Sequence, residues 1–182
     1  MPFGAAGVAV SWDGADVPPE HAVQGLHAVE LWVLESAATV STLASLGLVV
    51  VGMRENVTVM GVADGTGVLE VRATGQFLRG REGVGTIHHV ALRVADDDHL
   101  RRLAAVPVAA GLEATEVRDR QYFRSVYFRE PGGILLELAT DGPGFLVDET
   151  IAELGSTLQL PPQYDSLRAR LSLTLPELVR KP

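Results

Sequence analysis

Residues 25–74 and 86–140 repeat a single order of elements, and a repeat of that length constrains the fold more than any one motif in the chain. Each copy reads as β-α-β-β-β. In the first, residues 25–33 alternate as a strand, and residues 35–46 carry apolar side chains at helical spacing, with Ser36 as the expected cap and Gly47 as the stop. Residues 48–53, 57–63 and 68–73 follow as three short strands. Residues 75–85, with Gly75, Gly80, Gly83 and Gly85, form a loop. The second copy opens on a strand that contains His88 and His89. Asp96, Asp97 and Asp98 then begin a helix that runs to about Ala110. Carboxylates favour the positive end of a helix dipole, so this acidic run is expected to cap the helix and not to gather a metal. Gly111 stops the helix, and strands near residues 114–118, 122–128 and 133–139 complete the copy.

Alternation along a strand sorts side chains by face. In the first strand of the second copy, Val90, Leu92 and Val94 share a core face, and His89, Ala91 and Arg93 point the other way. In the last strand, Ile134, Leu136 and Leu138 make the core face, and Leu135, Glu137 and Ala139 oppose it. If both strands lie in one sheet, an imidazole and a carboxylate converge. Such nitrogen and oxygen donors suit Fe(II), Mn(II) or Zn(II). The bland alternative is a satisfied structural histidine beside a solvated glutamate. Superposing the copies sets His27 on His88, Ala28 on His89, Leu31 on Leu92, Val33 on Val94, Gly67 on Gly133 and Val71 on Glu137. On that alignment only the second copy carries donors.

Composition narrows the partners. The 182 residues suffice for one domain or two small modules sharing a core, and 47% apolar content is ordinary for a globular fold. No run of eighteen apolar residues offers a membrane span. The start, Met1-Pro2-Phe3-Gly4, lacks the basic and apolar regions of a signal peptide. A net charge of −8 disfavours nucleic acid and anionic membranes. The absence of cysteine excludes disulfides and thiolate metal sites and fits the cytoplasm. Residues 1–24 read as a linker, residues 25–142 as a paired-module domain, and residues 143–182 as a partly helical tail.

Two β-α-β-β-β repeats with a histidine in one strand and a glutamate in the last resemble the vicinal oxygen chelate superfamily, which includes glyoxalase I, extradiol dioxygenases and bleomycin-resistance binders. The segments Gly85-Thr86-Ile87-His88-His89-Val90-Ala91, residues 119–133 (DRQYFRSVYFREPGG) and Leu158-Gln159-Leu160-Pro161-Pro162-Gln163-Tyr164 resemble the C-terminal half of ring-cleaving dioxygenases that act on hydroquinones. The resemblance covers roughly residues 16–176. It implies an α+β fold whose sheets curl around a metal-bearing cup, with His89 and Glu137 as Fe(II) ligands and Tyr127, Arg120 and His88 around substrate or dioxygen. A facial triad of two His and one carboxylate leaves positions open for substrate oxygens and dioxygen. A phenol and a guanidinium nearby stabilise the charged species that follow. Members of that family have four modules and take their other His ligand from the first, in an N-terminal half that has no counterpart in this sequence. His21 falls in the linker-like segment, His27 is expected on the core face, and Glu30 is the best in-chain substitute. The third donor is therefore expected from a second copy, from a separate subunit, or from nowhere. The implied protein is a dioxygenase using Fe(II), or Mn(II), with a small aromatic and dioxygen as substrates, as a homodimer or with an N-terminal-half subunit. The rivals are a metal-free small-molecule binder and an inactive truncated dioxygenase.

Overall fold

The computed structural model describes residues 17–22, 27–62, 67–75 and 80–176. The first repeat consists of β1 (Val29–Val33), α1 (Ser36–Ser45), β2 (Val49–Arg54), β3 (Val57–Gly61) and β4 (Gly67–Ala73). The second consists of β5 (Val90–Val94), α2 (Asp97–Ala109), β6 (Arg118–Asp119), β7 (Arg124–Arg129) and β8 (Leu135–Thr140). Each makes a four-stranded sheet, ordered β1-β4-β3-β2 and β5-β8-β7-β6. In both, the first strand runs parallel to the last and the other neighbours are antiparallel. The tail holds 3-10 turns at Phe145–Val147 and Pro162–Leu167 and the short helix α3 (Arg168–Thr174). Most of the linker-like segment 1–24 lies outside the described residues, of which Pro19–His21 form a 3-10 turn.

The faces follow the alternation. Leu92, Val94, Leu136 and Leu138 are buried, and Leu31, Val33, Leu69 and Val71 do the same in the first sheet. These residues join Leu43 of α1, Leu46 just after it and Leu100 of α2 in one hydrophobic cluster that spans both modules. Asp96 caps α2, its Oδ1 accepting from the His99 N–H at 2.7 Å, as the acidic run predicts. Ser36 does not cap α1: the helix starts on it, and extended Glu35 holds the cap position with no side-chain bond. The strand expected near residues 114–118 shrinks to a bridge from Ala114 to Phe128 and the two residues of β6.

The register corrects one feature of the sequence alignment. Leu31 pairs with Val71 and Glu30 with Glu70, whereas Leu92 pairs with Leu138 and Ala91 with Glu137. The counterpart of Glu137 is therefore Glu70 and not Val71. Val71 is fully buried, and a one-residue slip would turn it out of the core. The β3–β4 ladder shifts register between Met60 and Gly61, so alignment on Gly67 and Gly133 misplaces the strand by one residue.

A buried carboxylate ties the modules together. Glu130, in the turn between β7 and β8, is 2% exposed. It accepts from Thr39 Oγ1 of α1 at 2.7 Å and from the backbone N–H groups of Gly132 and Ile134, each at 2.8 Å. Gly132 must be glycine because a Cβ there would stand 2.6 Å from Thr39 Oγ1 and Val33 Cγ1. Burying a carboxylate is tolerated when its oxygens are hydrogen-bonded, and removing it strands the donors. Glu130→Ala is expected to destabilise the chain by about 3 kcal/mol or more, and Gly132→Ala by about 1–3 kcal/mol through overpacking. Urea denaturation followed by circular dichroism measures both.

Candidate metal centre

On the open face of the second sheet, β5 and β8 run side by side with Ala91 opposite Glu137. His89 lies just before β5 and reaches across, placing its Nε2 2.9 Å from Glu137 Oε2. Glu137 is 3% exposed, and its other oxygen, Oε1, is buried with no hydrogen-bond partner among the described residues. Tyr127 of β7 sits beside Glu137 in the ladder. Its ring meets that of His89 edge-on, with centroids 5.5 Å apart, and the Arg120 guanidinium lies 5.5 Å from the Tyr127 ring. His88 completes the group through a contact of 2.9 Å between its Nδ1 and that of His89. All five residues singled out in the sequence therefore meet on one face.

Local backbone chemistry sets Arg120. Gln121 adopts a left-handed conformation with φ of 68°, and its N–H donates to Asp119 Oδ1 at 2.8 Å. Such an Asx turn offsets the cost of positive φ. The Arg120 N–H donates to the Phe123 carbonyl at 2.9 Å. The tail fastens this loop from outside. Asp148 accepts from Gln121 Nε2 and from the Tyr122 hydroxyl, both at 2.9 Å, and Phe145 packs on the Tyr122 ring at 4.9 Å.

The donor set fits part of a metal site. Two ligands bound at right angles with bonds of about 2.1 Å stand roughly 3 Å apart, and His89 Nε2 and Glu137 Oε2 are 2.9 Å apart. A buried carboxylate oxygen without a partner is costly, and a cation at that point would satisfy it. No cluster of three or more metal-ligating side chains exists among the described residues. His21 is exposed; so is His27, which precedes β1 and does not enter the core as the alternation predicted. Glu30 is held by Arg72, whose Nε and Nη2 donate at 2.8 and 2.7 Å, and this pairing holds its carboxyl below the usual range.

The first sheet shows what the second lacks. There Ala28 stands in the place of His89, and Glu70, the counterpart of Glu137, is bridged by Arg54 at 2.5 Å. Where the second face has small Ala91 and Ala139, the first has Glu30 and Arg72, by the same register. One side chain escaped the sequence reading: Ser125, fully buried, whose hydroxyl has no hydrogen-bond partner among the described residues. It lies two residues from Tyr127 on β7, so strand alternation was the signal that could have found it.

The sequence model of the Glyoxalase/Bleomycin resistance protein/Dioxygenase superfamily matches residues 6–138. The chain belongs to this superfamily. Among its relatives within the superfamily is MhqA of Bacillus subtilis, named as a ring-cleaving dioxygenase, 38% identical over 168 residues that make 87% of this chain and 53% of the relative. The crystal structure of a Bacillus subtilis protein described as a dioxygenase superposes with a TM-score of 0.85 at 36% identity, covering 97% of this chain and 57% of that one. A chlorohydroquinone/hydroquinone 1,2-dioxygenase of Sphingobium indicum is 38% identical over 96 residues, which are 51% of this chain and 29% of the relative. The chain thus spans about half the length of MhqA and of the superposed crystal structure.

Burial raises the Tyr127 hydroxyl above its ordinary pKa of 10.0, and the Glu137 carboxylate beside it raises it further. A tyrosine whose folded pKa is raised keeps its proton after the unfolded chain has lost one. Its contribution is thus intact below about pH 10 and declines as pH rises through the folded value. In metal-free protein, Tyr127→Phe is expected to flatten the fall in stability above about pH 10, and to remove a late component from the absorbance titration at 295 nm. Tyr122 is raised as well, by burial and by Asp148, so Tyr122→Phe is the control.

Proposed function

We propose that this chain carries two of three protein ligands of an Fe(II)-dependent ring-cleaving dioxygenase that acts on a dihydroxylated aromatic such as a hydroquinone. The observation that carries the reading is the approach of His89 Nε2 and Glu137 Oε2 to 2.9 Å with Glu137 Oε1 left bare. The names of MhqA and of the Sphingobium indicum relative support the reaction and the substrate class. Fe(II), or Mn(II), held by His89 and Glu137 would supply redox chemistry and open coordination positions. A cysteine-free chain suits a cytoplasmic enzyme, and among the described residues no helix is long and apolar enough to cross a membrane.

The roles of the chain's own residues follow from the contacts. Two imidazole nitrogens 2.9 Å apart share one hydrogen. With Nε2 of His89 turned to a cation, its Nδ1 carries that hydrogen and donates it to His88, which fixes the tautomer and the ring. Tyr127 stays protonated at neutral pH and donates its hydroxyl proton to an anionic oxygen. Arg120, over the Tyr127 ring, presents a permanent cation to the same space. The third donor comes from beyond the described residues of one chain, in a homodimer or from a separate N-terminal-half subunit. Val49, Val50, Val51 and Met53, exposed on the edge strand β2, support association through an uncovered apolar edge.

Anaerobic Fe(II) loading followed by oxygen uptake with hydroquinone tests the proposal. Uptake that requires both iron and substrate is expected. His89→Ala and Glu137→Ala should each abolish iron binding and turnover while leaving the circular dichroism spectrum intact. Tyr127→Phe and Arg120→Ala should keep iron and lower turnover about 100-fold. Tight binding of the aromatic by metal-free protein with no uptake would replace the enzyme with the binder. Light scattering that gives a monomer at all concentrations would remove the homodimer.

A further inference from the structure

A cleft of about 590 Å³ lies between β1 of the first module and the segments that open β5 and β8 in the second. Its size falls in the range of about 300–1,000 Å³ typical of small-ligand sites. Trp32 and Glu30 line one side, His88 and Ile87 another, with Leu135 and Arg81 also on the wall. His89 lines it too, whereas Glu137 and Tyr127 do not, so the cleft adjoins the candidate metal centre and shares the His88–His89 wall with it.

Trp32 is the first reason to read this cleft as a binding site. The indole is 59% exposed, yet it is held at two points: its Nε1–H donates to Glu30, and the Arg72 guanidinium lies 5.7 Å from the ring centroid. Glu30 and Arg72 in turn bind each other. An exposed indole fixed in this way is a flat apolar platform already ordered for a planar ring. A lone exposed tryptophan is usually unremarkable, but this one faces a concave wall.

Arg81 is the second reason. The cleft's other guanidinium, Arg129, is engaged by the Gly133 carbonyl and by Glu82, and the carboxylate of Glu30 is neutralised by Arg72. Arg81 has no ion pair or hydrogen bond among the described residues. The charge left unused is thus the Arg81 cation, which selects a ligand bearing an anionic oxygen.

We propose that this cleft binds a planar aromatic acid, with the ring on Trp32 and its carboxylate on Arg81. The assignment rests on the dioxygenase reading only for the neighbour it gives the ring, the His88–His89 pair. The contacts themselves need no metal. Calorimetric titration of the chelator-treated full chain with gentisate (2,5-dihydroxybenzoate) and with hydroquinone tests it. Gentisate is expected to bind saturably, one per chain, at least about tenfold more tightly than hydroquinone, the gain a charge-assisted contact brings. Arg81→Ala should erase that preference. Trp32→Ala should weaken gentisate about fivefold to tenfold, and Trp32→Phe should retain most of the affinity. Hydroquinone binding as tightly as gentisate, a preference that survives Arg81→Ala, or no saturable binding would overturn the proposal. Failure of iron to bind at His89 and Glu137 would leave these titrations as they are, so the two readings fail separately.

Discussion

The Glu130 carboxylate is the point on which both modules and the candidate centre depend. Its oxygens are satisfied by Thr39 from the first module and by two backbone N–H groups of its own turn. That turn feeds directly into β8. Because the side-chain period of a strand is two residues, the turn decides which face Glu137 takes. A local satisfaction of hydrogen bonds thus fixes a carboxylate seven residues further on, and it does so while locking α1 against the second module. No cation is required, because a carboxylate that accepts three hydrogen bonds is well accommodated in a protein interior.

Much of this was legible in the sequence, for identifiable reasons. Period-two alternation located the core faces of β5 and β8, because both strands have apolar residues on one side and small or polar ones on the other. His89 and Glu137 followed from the same alternation. The first module was read less well at its far end. Glu70 and Val71 are adjacent, and only the ladder, with its shift at Met60 and Gly61, shows which of them faces outward. Ser125 went unnoticed although alternation sets it on the same face as Tyr127, because a lone serine in a strand suggests no chemistry by its residue type. The role of Glu130 was invisible for a different reason: its partner Thr39 is 91 residues away, and nothing in local spacing announces such a contact. Arg120 and Tyr127 entered through family resemblance, and their closeness in space is a property of the Gln121 turn.

Charge is distributed unevenly between the two open faces. In the first, Glu30 meets Arg72 and Glu70 meets Arg54, so each carboxylate has its own guanidinium. In the second, Glu137 faces an imidazole and keeps one oxygen bare. The arginine that stands nearest to Tyr127 interacts with the ring face. One face is chemically closed and the other is left open.

That asymmetry gives duplication a physical use. A fold made of one module would have to place its buried, half-satisfied carboxylate in the same sheet that supplies its stability. Here the load is split. The first sheet, with Glu30 and Glu70 each paired to an arginine, can serve as ballast, and the second tolerates an orphaned oxygen because its neighbour shares the same hydrophobic cluster. Divergence after such a doubling need not invent a site. It has only to fill one of the two cups with arginine and leave the other alone.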